Sequence, residues 1–117
     1  PAARILSPPT IDSYLASLED AHLVEKVLRW DTAEESPQKT GYRYFFKDPW
    51  LRLAHFGPAP EDEDRRMALN RAWLHLRRSE GEVFVASGTP DADFITRTAS
   101  GKTVQWSVDP SGSPHEV

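Results

Sequence analysis

The chain contains no cysteine, a single methionine and no long hydrophobic run. Without cysteine there is no disulfide, no thiolate metal site and no cysteine nucleophile. No apolar stretch approaches the ~20 residues that a membrane-spanning helix needs. The opening Pro-Ala-Ala-Arg-Ile-Leu-Ser shows neither the basic start nor the apolar stretch of a signal peptide, so a cytoplasmic protein with no membrane partner is expected. Positive charge is in deficit too. Lys and Arg number 14 against 18 Asp and Glu, a formal net charge of -4. Bulk electrostatics therefore does not favour nucleic acid or anionic membranes.

Catalytic patterns are also missing. The histidines, His22, His55, His75 and His115, form no metal-ligand spacing, and Ser7 and Ser13 sit in no nucleophile elbow. Gly101-Lys102-Thr103 has the ending of a phosphate-binding loop, but position 96, where that loop needs glycine, is threonine. The surrounding pattern is strand, turn, strand. The expectation is a protein that is no enzyme and holds no cofactor or metal.

What is present is the patterning of one globular domain of 117 residues. Thr10 is positioned as an N-cap after Pro8-Pro9, and Ile11, Tyr14, Leu15 and Leu18 follow on one helical face. Extending that stripe would bury His22, Glu25 and Arg29, so the helix is ended near Asp20. Leu23–Trp30 reads as a strand, with a helix continued through Leu28 as the competing reading. Residues 31–40 are polar and read as a loop. Gly41–Lys47 alternates as a strand, forming a hairpin with Trp50–Phe56 about Asp48-Pro49. A helix over 62–79 carries acids at its start, Arg77 and Arg78 in its last turn and Gly81 as its expected C-terminal cap. Strands are expected at Glu82–Ser87, Phe94–Thr98 and Thr103–Val108, the last two joined about Ser100-Gly101. The element order α-β-β-β-α-β-β-β makes an α+β fold: two helices on a largely antiparallel sheet, spanning 1–109, with 110–117 as a flexible C-terminal tail.

The helix over 62–79 is unusual in having two apolar faces. Leu69, Ala72, Trp73 and Leu76 make the core stripe, while Met67 and Leu74 fall on roughly the opposite side. Arg66 and Arg77 border that second face on one side, Arg71 and Arg78 on the other. Between residues 65 and 78 there are five arginines and no acid. Methionine and arginine are enriched at interfaces. Met67, Leu74, Arg71, Arg78, Arg66 and Arg77 are therefore the expected partner surface of a protein-interaction domain of adaptor or chaperone-like type, homodimeric through this helix or bound to another protein. The order of elements is also similar to that of the secretion-chaperone-like domains, acidic dimeric α+β proteins that bind protein segments.

The strand Gly41-Tyr42-Arg43-Tyr44-Phe45-Phe46 partly resembles the aromatic strand motif of RNA-recognition (RRM) domains, with Gly41, Tyr42 and Tyr44 at matching positions. Thr40 stands where that motif has a basic residue and Arg43 where it has a small one. The resemblance implies an alternative role, single-stranded nucleic-acid binding, with Tyr42, Tyr44 and Phe46 stacking on bases and Arg43 on phosphate. A ligand pocket assembled by the fold would most plainly draw on Trp50, His55 and Tyr44.

Overall fold

A computed structural model describes residues 8–48 and 61–117. Its first element, α1 (Pro8–Asp20), begins two residues ahead of the expected Thr10 cap. A proline in the first turn lacks only an N–H that the helix leaves unpaired there anyway, so Pro8 and Pro9 are compatible with the helix. The far end is closed by a Schellman motif. His22 takes the left-handed conformation (φ 61°), its N–H donates to the Glu19 carbonyl at 2.9 Å, and Leu23 N–H donates to the Leu18 carbonyl at 2.9 Å. The chain then enters β1 (Val24–Asp31) as the strand reading expects, rather than continuing as helix.

The segment 31–40, expected to be a loop, is half strand. β2 (Ser36–Phe46) runs antiparallel to β1, pairing Trp30 with Pro37 at one end and Val24 with Phe46 at the other. Its first half is polar because it faces solvent on an edge strand, where Pro37 is also tolerated. Gly41–Phe46 thus pairs with β1; the expected partner, Trp50–Phe56, lies outside the described residues. Between the pairs Val27–Arg43 and Arg29–Gln38, two steps along β1 correspond to five along β2. This large bulge is pinned by Arg29, whose Nε donates to the Thr40 carbonyl at 3.1 Å and whose Nη1 donates to Ser87 Oγ at 3.0 Å. Gly41, at φ 72°, leaves room for that side chain.

Helix α2 (Glu61–Ser79) crosses to β3 (Glu82–Ser87), followed by β4 (Phe94–Arg97), β5 (Thr103–Val108) and β6 (Pro114–Glu116). Gly81 is not a left-handed cap; it is glycine because a Cβ there would run into the Arg97 carbonyl. The sheet order is β2-β1-β3-β4-β5-β6. Every neighbouring pair is antiparallel except β1 and β3, which are parallel and hydrogen-bonded only where Arg29–Asp31 meets Val85–Ser87. The fold is therefore α+β, two helices on a six-stranded, mostly antiparallel sheet, in the order α-β-β-α-β-β-β-β over the described residues.

β6 corrects the expected tail. Asp109 starts a turn by accepting hydrogen bonds from Ser111 N–H (2.9 Å) and Ser113 N–H (3.0 Å), Gly112 supplies φ 90°, and the chain returns along β5 with Trp106 opposite Glu116. Serine, glycine and proline here encode a reversal, not fraying.

The core is split by the sheet. On the α2 face Ala68, Ala72, Trp73 and Leu76 are fully buried against Val27, Phe45, Phe94 and Val108, with Phe45 stacked on Trp73 at 5.3 Å. Trp30, Phe84, Ala92 and Ile95 form a second cluster. The registers place Trp30, Phe84 and Ile95 on the opposite face. The Arg97 guanidinium lies over both Trp30 and Phe84, and its Nε donates to Glu82 at 3.0 Å.

Candidate interaction site

The arginines of α2 have separate fates. Arg65 Nη1 donates to the Val108 carbonyl (2.7 Å) and Nη2 pairs with Asp93 (2.8 Å), whose same carboxylate oxygen accepts Val108 N–H. Arg71 donates to the Ser111 carbonyl and packs on Gly112. Arg77 pairs with Glu25 at 3.1 Å and lies over Trp73. Arg78 is exposed. Leu74, half-buried, packs against the main core, and Met67 is likewise half-buried. So much of the second apolar face is in contact with the rest of the chain: Leu74 with the core, Arg71 with the turn that β6 requires.

Arg66 goes elsewhere. It is exposed, and it lines a groove of about 430 Å³ together with Leu15 of α1, Tyr42, Arg43 and Tyr44 of β2, and Leu69 and Asn70 of α2. Two guanidinium groups from different elements, Arg43 and Arg66, thus border one aromatic cleft. The strand register explains how. Lys47 N–H donates to the Leu23 carbonyl, so antiparallel alternation turns the peptide groups of Phe46 away from β1. There they meet the Asn70 side chain. Phe46 N–H donates to Asn70 Oδ1 at 2.9 Å, and Asn70 Nδ2 donates to the Phe46 carbonyl at 2.8 Å. The buried amide imitates the peptide group of a further strand and draws α2 against the outer edge of β2. No local sequence pattern announces this; a polar residue one position beyond the core residue Leu69 was the only available signal.

The structure also fixes how the aromatic side chains stand. Tyr42 and Tyr44 meet edge to face, 5.7 Å apart at 90°. Lys26 Nζ sits 3.9 Å above the Tyr42 ring. Phe46 is buried at 8% exposure. Of the residues first named for a ligand pocket, Tyr44 lines the groove, whereas Trp50 and His55 lie outside the described residues.

A second polar cluster was missed in the sequence. Ser111 Oγ donates to Asp109 Oδ1 at 2.6 Å, and His115 Nε2 lies 2.7 Å from Asp109 Oδ2. These bonds, with the Ser113 N–H, hold the Asp109 carboxyl well below the usual carboxylate range. Serine and histidine take the two different oxygens of one carboxylate, an arrangement that builds the turn. His75 is exposed on α2 and His22 serves the cap. Among the described residues no three His, Asp or Glu side chains are grouped to share a metal ion, and no helix is long and apolar enough to cross a membrane. Compared with protein-family models, with curated proteins and with solved structures, this chain finds no match in any of the three.

Proposed function

We propose that this chain is a non-catalytic interaction domain that holds another polypeptide in the groove between α1, β2 and α2. The observation that carries the reading is the convergence of Tyr42, Arg43, Tyr44 and Phe46 of β2 with Arg66 of α2, distant in sequence, on one concave surface. Its volume lies within the ~300–1,000 Å³ typical of binding clefts. Aromatic rings and arginines are the side chains that most often dominate binding energy at protein interfaces.

A homodimer through Met67 and Leu74 is a less supported form of the same reading, because Leu74 already packs on the core and Arg71 on the turn at Ser111. Its mark would be a mass twice 13.2 kDa that persists on dilution in light scattering. Single-stranded nucleic-acid binding is favoured by the basic side chains of β2 but not by its rings. Consecutive bases need parallel faces to stack on, and the edge-to-face tyrosines, the Lys26 cap and the buried Phe46 offer no such ladder.

The test is selection of a displayed random-peptide library on the folded domain, followed by amide-shift mapping of an enriched peptide. The expected shifts centre on Tyr42–Phe46 and Arg66–Asn70. Absence of any enrichment, or shifts centred on another surface, would overturn the proposal.

A further inference from the structure

The sheet is not closed along its whole length. Among the described residues, pairing of β1 with β3 begins only at Arg29–Val85, although β1 starts at Val24 and β3 at Glu82. On their other sides both strands are engaged from the start, residues 24–27 with 43–46 and residues 82–85 with 94–97. Toward their N-terminal ends β1 and β3 therefore diverge, and a cleft of about 570 Å³ lies between them, lined by Lys26 and Leu28 of β1, Val83 and Phe84 of β3, and Trp73 and Arg77 of α2. We infer that this cleft receives an extended segment of a partner polypeptide, inserted as a strand between β1 and β3, with Glu19 holding the Lys26 N–H until it does. The site is separate from the groove between α1, β2 and α2 and does not rest on it.

The hydrogen-bond alternation shows which groups face the cleft. The Leu23 carbonyl accepts from Lys47 N–H on the β2 side, so by antiparallel alternation the peptide groups of Lys26 and Leu28 turn toward β3. Ala86 N–H donates to the Asp93 carbonyl on the β4 side, so the peptide groups of Val83 turn toward β1. Leu28 N–H and the Val83 carbonyl thus face one another across the cleft without the pairing that a continued sheet would give them. Such groups are the template that a further strand completes. The Lys26 N–H already takes a substitute, donating to Glu19 Oε2 of α1 at 3.1 Å. The charged side chains at the rim are matched within the chain, Arg77 by Glu25 and Arg97 by Glu82. Recognition therefore falls to the main chain and to shape. An inserted strand would meet apolar side chains on both faces, Val27 and Trp73 on one and Leu28 and Phe84 on the other. A strand buried on both faces favours a short β-branched run without proline.

The probe is a capped synthetic peptide, Thr-Val-Val-Val-Thr flanked by lysines for solubility, titrated into the folded domain while amide shifts are followed. The expected shifts centre on residues 26–28 and 81–84. N-methylation of the central valine removes one main-chain donor and should weaken binding by about tenfold or more, whereas binding through side chains alone would persist. Glu19→Ala frees the Lys26 N–H and should tighten binding about two- to tenfold. Arg43→Ala, in the groove, should leave it unchanged, with thermal unfolding showing that each variant is folded. The inference is overturned if no amide shifts, if the shifts centre on residues 42–46 instead, or if the N-methylated peptide binds as well as its parent. An unchanged affinity in Glu19→Ala would overturn the part given to Glu19. None of these outcomes decides the groove reading, which stands or falls on its own peptide selection.

Discussion

Replacing Asn70 tests the structural basis of the groove directly. Its side chain is 5% exposed and meets both peptide groups of the 8%-exposed Phe46. Asn70→Ala removes both partners at once and leaves a buried N–H and a buried carbonyl. Each unsatisfied group costs about 1–3 kcal/mol. Water can reach an edge strand once the amide is gone, so a loss of about 2–4 kcal/mol for the pair is expected, out of a typical total of ~5–15 kcal/mol. At this chain length that corresponds to a fall in melting temperature of about 8–16 °C. Urea unfolding followed by tryptophan fluorescence would measure it, and an unchanged m-value would show that the loss is one of stability.

Asn70→Asp sharpens the test. The ionised carboxylate can still accept Phe46 N–H, but it sets negative charge against the Phe46 carbonyl, and only the protonated acid can donate to it. The folded state then raises the new carboxyl's pKa above its unfolded value of ~3.9. The stabilisation is fully present below the unfolded pKa and is lost as pH rises through the folded one. The gap between N70D and the parent chain should therefore be wide at neutral pH and narrow toward pH ~4. A cost of less than about 1 kcal/mol for Asn70→Ala, or a pH-independent gap for Asn70→Asp, would refute the role given to this amide.

Other substitutions probe the backbone and the turns. His22→Gly should stabilise the protein by about 0.5–1 kcal/mol in denaturant titration, because φ 61° is a conformation glycine adopts at little cost. Gly41→Ala should destabilise by about 1–3 kcal/mol, since φ is 72° and the new Cβ would lie 2.8 Å from Arg29 Nε; a neutral result would mean that Arg29 does not fill the bulge. Asp109 contributes stability above its unfolded pKa that is lost as pH falls through its lowered folded value. Asp109→Asn should accordingly flatten the acid limb of the stability profile, with the amides of 111–117 exchanging faster at neutral pH. Trp106→Phe leaves the fully buried Thr96 hydroxyl without the indole N–H now 2.8 Å away, and should cost about 1–2 kcal/mol.

The second helix and the strands β3, β4 and β5 were legible because each carries its own signals: the period of Ala72, Trp73 and Leu76, the turn at Gly101, the alternation of Val104, Trp106 and Val108. Where signal was absent, the reading failed for identifiable reasons. Ser36–Thr40 is an exposed edge and has no apolar alternation to read. β6 depends on Asp109 collecting hydrogen bonds from residues not yet folded into anything. The tail's composition shows only its turn. In the sequence Arg66 belongs to the helix surface and Tyr42 to a separate aromatic strand; in the structure both line one groove. Bringing them together with Leu15 takes the β1–β2 register and the Asn70–Phe46 contact, neither of which is encoded locally.

The short parallel pairing of β1 and β3 has a consequence for how the chain assembles. Residues 24–46 form one antiparallel leaf and residues 82–116 another, each from strands close in sequence. Among the described residues the backbones of the two leaves pair only where Arg29–Asp31 meets Val85–Ser87. At that seam Ser87 acts as a rivet: its carbonyl accepts from Thr32 N–H and Oγ1, and its hydroxyl accepts from Arg29 and donates to the Trp30 carbonyl. Leaf formation closes short loops, whereas the seam closes the longest loop in the sheet. Docking of the leaves across α2 is then the expected slow step of folding. Ser87→Ala should slow refolding more than it speeds unfolding, and a change confined to the unfolding rate would place the seam after the barrier.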